Sequence, residues 1–311
     1  MNPYKNDIVY HYIVTKNKKR KIATYIDFNC ELRKLHSSYA DFLNKHFTPS
    51  IFSKAYIERS SIFENAKAHM YNDYFIMLDV KDFFNNISHK LLEKRLFYEL
   101  NIINENTINQ AQCNKIVQIC SVSARGIPLG FITSPVLSNI YMKEFDNIVY
   151  GKLKKIEHLE GKNIIYTRYA DDMTISFKCE DSNKHIELEC EIIKVIEEQL
   201  ERSFLRLNEH KKRSYNINKT KHVKITGVNI IRQENNYRTL TVGRKTKKNL
   251  FIDAIEAFDT KNKDKCQYVK GMQSFILSVE KRGYEDIYSP QMLQFVRDRG
   301  FESLKNLIDS L

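Results

Sequence analysis

The sequence predicts an α+β protein: a body in which strands and helices alternate, followed by an appended helical domain. Three observations carry this. Short apolar runs of strand length alternate with segments of helical periodicity over most of the chain, the stretch 164–178 reads as a hairpin, and from about residue 245 onward the pattern is helical without a convincing strand. At 311 residues with 42% apolar content, the chain can bury a large core and carry a smaller second domain.

The elements follow in chain order. The opening MNPYKNDIVYHYIVTKNKKR lacks the apolar run of a signal peptide, and no window approaches the roughly 18 apolar residues needed to span a bilayer, so a soluble cytoplasmic protein without a membrane partner is expected. Residues 30–47 place Leu32, Leu35, Tyr39, Phe42 and Leu43 at helical spacing, whereas DYFIMLDV (73–80) is an apolar run of strand length. A further helix is expected with Ser88 as N-cap before Leu91, Leu92, Leu96 and Leu100. Residues 134–150 open with Ser134 and then Pro135 in the first turn, where the fixed ring of proline suits a helix start. In 164–178 the segment is apolar or β-branched before Asp171; after it, Met173, Ile175 and Phe177 alternate with Thr174, Ser176 and Lys178, the period of a strand. Residues 186–201 read as a charged amphipathic helix. The cysteines Cys30, Cys113, Cys120, Cys179, Cys190 and Cys266 show no paired short spacing of a zinc or redox motif, so reduced thiols are expected.

The net charge of +12 is concentrated rather than spread. From Lys211 to Lys248 there are twelve Lys and Arg against one acid, Glu234, and a second run near the N-terminus holds Lys16, Lys18, Lys19, Arg20 and Lys21. A cluster of five is ordinarily a solvated face, but the longer imbalance would repel the compact state unless something compensates, which points to a polyanion. The interleaved Tyr215 and Tyr237 suit a nucleic-acid strand better than a membrane, for which a basic amphipathic helix would be expected.

The two adjacent carboxylates Asp171 and Asp172 interrupt the hairpin. In an extended strand they would face opposite sides, whereas at a turn they can converge. Asp79, at the end of FIMLDV, is a third candidate. Three carboxylates brought together would repel by about 4 kcal/mol per pair at ~4 Å and an effective dielectric near 20, so the grouping makes sense only with cations to neutralise it. Mg²⁺ takes oxygen ligands, and two such ions about 4 Å apart can stabilise both the attacking and the leaving oxygen of a phosphoryl transfer. Taken alone, an Asp-Asp dipeptide is an ordinary turn.

The ordered set carries more. YADD between strands, an apolar strand ending in Asp79 and followed by FF, and GIPLGFITSPVLSNIY (126–141) between them resemble the palm signature of reverse transcriptases. The resemblance implies a right-hand polymerase fold, with fingers and palm in residues 1–240 and a helical, RNA-binding thumb in 241–311. It implies that Asp79, Asp171 and Asp172 are the catalytic triad and hold two Mg²⁺ ions, with Mn²⁺ a possible substitute, while a primer hydroxyl attacks the α-phosphate of an incoming dNTP. Phe84 matches the aromatic gate that leaves no room for a ribose 2′-OH, and Phe83 beside it suits a core role. Val80, Pro128, Gly130 and Lys211 are the other nucleotide-binding positions it implies. Arg168, Tyr169 and Ser134 fall at positions that face primer or template, and Ala170 completes the flank of the carboxylates.

Two further segments resemble elements of bacterial retron reverse transcriptases: NAKAH (65–69) matches their Asn-Ala-x-x-His, and ITG (225–227) their Val-Thr-Gly. On a helix, Asn65 and His69 would share a face, where a satisfied polar pair is the ordinary reading. YVKGMQSFILSVE (268–280) is similar to the family's thumb helix, so the resemblance covers most of residues 20–290. Within it, Asn65, His69, Thr226, Gly227, Arg244, Lys245, Lys247 and Lys248 are the expected RNA contacts. Two departures stand out: Leu129 replaces the usual Gln, and the first motif lacks its frequent proline.

Membership of the retron group would imply reverse transcription of a cognate structured non-coding RNA from a 2′-OH primer. The product would be a branched RNA–DNA hybrid (msDNA), made in antiphage defence beside a separate effector protein. The competing expectations are a group II intron-like or abortive-infection reverse transcriptase, which would not need the retron elements, and an RNA-binding scaffold that restrains an effector. An RNA-synthesising polymerase is disfavoured by Phe84.

Overall fold

In a computed structural model of the chain, the described residues are 3–15, 18–102, 105–160, 163–179, 184–281 and 283–311. In chain order the elements are β1 (Ile8–Thr15), β2 (Lys18–Tyr25), α1 (Glu31–His46), α2 (Ile62–Ala68), β3 (Tyr74–Asp79), α3 (Phe83–Asn86), α4 (His89–Asn101), α5 (Gln110–Ile119), α6 (Ser134–Glu160), β4 (Ile165–Tyr169), β5 (Asp172–Phe177), α7 (Lys184–Arg202), β6 (Arg213–Asn216), α8 (Ile217–Thr220), β7 (His222–Ile225), β8 (Val228–Arg232), β9 (Arg238–Thr241), α9 (Arg244–Thr260), α10 (Lys263–Val279), α11 (Pro290–Arg297) and α12 (Leu304–Ser310). The mixture of helices and antiparallel sheets is the α+β class read from the sequence. Among the described residues, no helix is long and apolar enough to cross a membrane. The chain forms two compact units: Met1–Ser61 with Asn72–Tyr215, and Ile62–Tyr71 with Asn216–Leu311. This division falls earlier than residue 240, and it assigns the short excursion 62–71 to the second unit.

The first unit is built on a four-stranded sheet of order β4-β5-β3-β6. Strand β3 is central because its apolar run can be covered on both faces; Phe75, Ile76 and Leu78 are all buried. It pairs antiparallel with β5 in the register Ile76↔Ile175, Leu78↔Met173 and Asp79↔Asp172. The expected hairpin is present as β4 and β5, paired from Ile165↔Ser176 to Tyr169↔Asp172. Helix α6 runs ten residues beyond the expected 150 and lays Leu137, Tyr141, Phe145, Val149, Leu153 and Ile156 into the core at intervals of three and four. Helix α7 does the same with Leu188, Ile192, Ile196 and Leu200. Ser88 caps α4 as expected, accepting from the Leu91 amide.

The N-terminal hairpin β1–β2, paired from Ile8↔Tyr25 to Thr15↔Lys18, has no counterpart in the expectations from sequence, because its second strand reads as a basic cluster. Of that cluster, Lys16 lies outside the described residues. The hairpin is fastened to the motif loop through Ala23, whose amide donates to the Leu129 carbonyl at 2.9 Å. Gly130 is required there: at φ +104° a Cβ would lie 2.4 Å from the Ala23 oxygen. Beneath the hairpin, the fully buried His36 meets the Phe131 ring edge-on with centroids 4.7 Å apart. Its Nε2–H donates to the Ile119 carbonyl at 3.2 Å, which leaves Nδ1 to accept the Tyr25 hydroxyl at 2.8 Å.

The second unit pairs helix α2 with the antiparallel sheet β7-β8-β9 and the helices α9 to α12. Helical structure after 245 was expected. The three short strands were not. The excursion is held by Asn65 Nδ2, which donates to Thr226 Oγ1 at 3.1 Å, and by Arg238 Nη1, which donates to the Met70 carbonyl at 3.0 Å. Lys247 of α9 is buried and pairs with Glu280 at 2.6 Å, just past the end of α10.

Burial lowers the pKa of His36 to about 4 from its usual 6.5. The unfolded chain therefore takes up the proton first as pH falls, and stability present above pH 6.5 is lost progressively toward pH 4, by up to about 3 kcal/mol from this group. Urea titrations at pH 7 and pH 4.5 should show a smaller drop in midpoint for His36→Gln than for the parent protein.

Candidate active site

The end of β3 and the β4–β5 turn bring the three aspartates to one place. Asp79 lies directly opposite Asp172 in the antiparallel register, so their side chains leave the sheet on the same face. Ala170 takes a left-handed φ of +57°, which makes the turn tight. Asp171 sits in that turn, and its carbonyl accepts the Val80 amide at 3.0 Å.

The electrostatics are those of crowded negative charge. Desolvation, then the repulsion of Asp171 and Asp79, raises the Asp172 pKa to about 6. The Asp171 carboxyl is raised by the same causes, desolvation and then Asp79. Lys211 and Arg20 oppose both shifts. Asp79 itself is held by protein groups: Asn208 Nδ2 donates to Oδ1 at 2.9 Å, and the Lys211 ammonium pairs with Oδ2. Among the described residues, no three His, Cys, Asp or Glu side chains stand gathered as a ready-made metal cage. The donor chemistry nevertheless fits a hard divalent cation, being all carboxylate oxygen, with burial and then repulsion holding Asp171 and Asp172 above the usual carboxylate range.

The loop GIPLG (126–130) is bonded to α3 and the residue after it. Ile127 donates its amide to the Phe84 carbonyl at 2.9 Å, and Gly126, with φ +83°, sits where a Cβ would come within 2.8 Å of that carbonyl oxygen. Phe83 and Phe84 are both buried, with centroids 5.1 Å apart and planes 65° to each other. Val80 and Pro128 are buried as well, and Ser134 Oγ donates to the Pro128 carbonyl at 2.7 Å. Ser134 thus stabilises the loop rather than presenting its hydroxyl to a strand. Leu129 packs its partly buried side chain against the core and offers its backbone carbonyl to the hairpin.

Arg168 differs most from expectation. It was placed at primer or template, yet its side chain has 0% exposure. The guanidinium grips Asp146 of α6 through Nε and Nη2, both at 2.8 Å, and donates from Nη1 to the Ala170 carbonyl at 3.0 Å. Tyr166 adds its hydroxyl to the same Asp146 carboxylate at 2.7 Å. On the outer edge of β4, Arg168 also exchanges backbone hydrogen bonds with Phe52 and Lys54. Arg168 therefore positions the carboxylate turn from within. Tyr169 remains half-buried at the strand end.

In the second unit, Asn65 and His69 are buried, and the two motifs that resemble retron elements meet through the Asn65–Thr226 bond. Gly227 follows at φ +98°. Arg244, Lys245 and Lys248 are exposed on α9, whereas Lys247 is committed to Glu280 and, at 3.7 Å, Asp286. An open groove of about 830 Å³ runs past Lys67, Tyr237, Arg238 and Arg244. Sequence reasoning missed Asn208, and it missed Tyr56, whose hydroxyl pKa burial raises first and Asp171 second. It also read Arg20 as one cation in a patch. Asn208 lies three residues before Lys211, so a polar residue so close to an expected site lysine was the available signal.

The site thus joins a strand-end aspartate to an Asp-Asp turn on one antiparallel sheet. The family model of the reverse transcriptase (RNA-dependent DNA polymerase) matches residues 13–230. The chain belongs to the reverse transcriptase family. It is 33% identical over 139 residues to the retron Ec73 reverse transcriptase of Escherichia coli, covering 44% of this chain and 43% of that protein. It is 30% identical over 175 residues to the retron Ec83 reverse transcriptase of the same organism, covering 53% of each. It is 23% identical over 269 residues to the retron Ec86 reverse transcriptase, covering 86% and 75%. The chain thus spans about half the length of the first two relatives. Its fold is similar to that of telomerase from Candida albicans, solved with a fragment of telomeric RNA, with a TM-score of 0.51 and 12% identity over 97% of this chain and 59% of that one. Apo telomerase from Candida tropicalis also gives a TM-score of 0.51, at 10% identity over 93% and 60%.

Replacing Asp146 with Asn should leave the Arg168 charge buried without its partner. Such uncompensated burial typically costs about 3–5 kcal/mol, and urea denaturation of the variant should show a loss of that size.

Proposed function

We propose that the protein is the RNA-directed DNA polymerase of a retron. It copies a cognate structured non-coding RNA from a 2′-OH primer within that RNA and gives a branched RNA–DNA hybrid (msDNA) in antiphage defence. The observation that carries the polymerase reading is the register that sets Asp79 opposite Asp172 with Asp171 in the adjoining turn, all three under mutual repulsion. The retron assignment is supported by the relatives and by the joining of NAKAH to ITG in one contact. In this reading the protein is cytoplasmic, residues 1–240 act as fingers and palm, residues 241–311 act as thumb, and an effector is a separate chain.

Asp79, Asp171 and Asp172 would hold two Mg²⁺ ions. When bound, these supply charge stabilisation at the attacking and leaving oxygens of the phosphoryl transfer. The remaining roles belong to the chain itself. Asn208 and Lys211 fix the Asp79 carboxylate, and the Lys211 ammonium keeps a proton-bearing cation beside the reacting phosphates. Arg168 holds the turn at its height above the sheet. Phe84, with Val80, Pro128 and Gly130, walls the nucleotide, and Tyr169 supports the primer end. Arg20 adds a cation from the N-terminal hairpin. Arg244, Lys245 and Lys248, with the groove past Tyr237, present the phosphate-binding face to RNA, where such contacts position the strand rather than read its sequence.

Asp171→Asn and Asp172→Asn should each lower dNTP incorporation on the co-purified RNA about a thousandfold or more, equivalent to several kcal/mol of lost charge stabilisation, while leaving RNA retention intact. Primer extension alongside filter binding reads both, and unchanged incorporation would sink the mechanism. Sequencing the co-purified nucleic acid tests the retron assignment: a 2′–5′ branched species supports it, and linear DNA alone contradicts it.

The cations of α9 should separate by role. Lys245→Ala with Lys248→Ala should weaken RNA retention and flatten its salt dependence by about one unit of slope per lost phosphate contact. Lys247→Ala should instead lower thermal stability, because the half-buried Glu280 carboxylate loses its ammonium partner.

A further inference from the structure

A second cleft opens on the first unit, a cavity of about 550 Å³ lined by Lys81, Asn86, Arg125, Glu201, Phe204 and Arg206. None of these residues belongs to the expected nucleotide or primer set. The volume is that of a site for one small organic ligand. Its charge is unbalanced: three cations face one acid, and Lys81, Arg125 and Arg206 form no ion pair among the described residues. Low-dielectric walls carrying one sign of charge concentrate ions of the other.

Two of the lining groups are built for contact. Arg125 is pinned rather than loose, its Nε donating to the Asn86 carbonyl at 3.0 Å and its Nη2 to the Phe204 carbonyl at 2.9 Å. The same bonds tie the two walls together. Phe204 is 61% exposed, a large aromatic ring left facing solvent at the rim. It is also held at φ +54°, a backbone position that favours glycine over a bulky residue. Cations set beside an open ring match a ligand with both a phosphate and a flat heterocycle.

We propose that this cleft binds a nucleoside polyphosphate, its phosphates on Lys81, Arg125 and Arg206 and its base on the Phe204 ring. The cleft is mechanically joined to the catalytic strand. The Lys81 amide donates to the Arg206 carbonyl at 2.9 Å, Val80 bridges Leu207, and the Asn208 amide donates to the Asp79 carbonyl at 2.8 Å. Two phosphate-binding cations thus sit on the short ladder that carries Asp79 and its partner Asn208. Occupancy of the cleft would therefore bear on the geometry of Asp79, as a regulatory nucleotide would.

The test is calorimetric titration of the full chain with ATP in EDTA, which removes metal-dependent binding at the carboxylates. Saturable binding in the micromolar range is expected, retained in the Asp171→Asn, Asp172→Asn double variant. Lys81→Ala and Arg206→Ala should each weaken it about tenfold, a change of ~1.4 kcal/mol. Phe204→Gly should weaken ATP binding at least about fivefold, in line with the loss of base stacking, while leaving inorganic pyrophosphate binding unchanged. Retained pyrophosphate binding in that variant excludes unfolding as the cause of a loss. The proposal is overturned by absence of saturable binding up to millimolar ATP, by undiminished binding in the Lys81 and Arg206 variants, or by loss in the aspartate double variant. Equal effects of Phe204→Gly on ATP and pyrophosphate would also overturn it, as would displacement of ATP by a short single-stranded oligonucleotide of far higher affinity.

Discussion

The buried pair of Arg168 and Asp146 is the contact on which the site depends. A doubly hydrogen-bonded guanidinium–carboxylate pair with no solvent access owes its stability to geometry, because the desolvation of both charges offsets most of their attraction. It is held in place by further bonds to the Tyr166 hydroxyl and the Ala170 carbonyl, so both charges are satisfied as well as paired. The pair joins the end of β4 to the long helix α6, and backbone bonds to Phe52 and Lys54 fix the same residue from its open edge. The turn that follows, with Asp171 and Asp172, inherits its position from a helix that itself carries none of the three aspartates.

Against this fixed frame the carboxylates are under strain of charge. Asp79 is bonded to Asn208 and Lys211, and burial followed by repulsion raises the pKa values of Asp171 and Asp172. That asymmetry divides the labour. The strand that carries Asp79 is central and covered on both faces, so its carboxylate is satisfied by neighbouring side chains. The turn lies at the sheet's end, where Asp171 is half-buried and Asp172 exposed.

The meeting of the three aspartates was legible because it is local: YADD sits within one hairpin, and Asp79 ends a run whose apolar character marks a central strand. Ser88, the α6 start and the α7 amphipathic face were legible for the same reason. What escaped depends on burial and on partners far along the chain. Arg168 beside two aspartates reads as a substrate contact until α6 is seen to supply Asp146, 22 residues away in sequence. Lys247 sits in a basic run, and only the fold reveals that it faces Glu280 while Lys245 and Lys248 do not. The β1–β2 hairpin was hidden because its second strand opens with four cations, a composition that masks strand alternation. Asn65 and Thr226 each suggested a motif, but nothing local says that they touch.

The excursion 62–71 has a consequence for how the molecule is made. The chain leaves the first unit, contributes α2 to the second, and returns, so the partners of Asn65 are encoded 161 residues later. At ribosomal rates of about 5–20 residues per second, α2 emerges roughly ten to thirty seconds before the sheet against which it rests. During that interval Ala66, fully buried in the folded protein, lacks its cover, and the first unit has to assemble around a loop whose ends it must hold together unaided. A nascent chain of this design is therefore open to chaperones at a defined place, and a fragment that begins after the excursion would lack one wall of its own second unit.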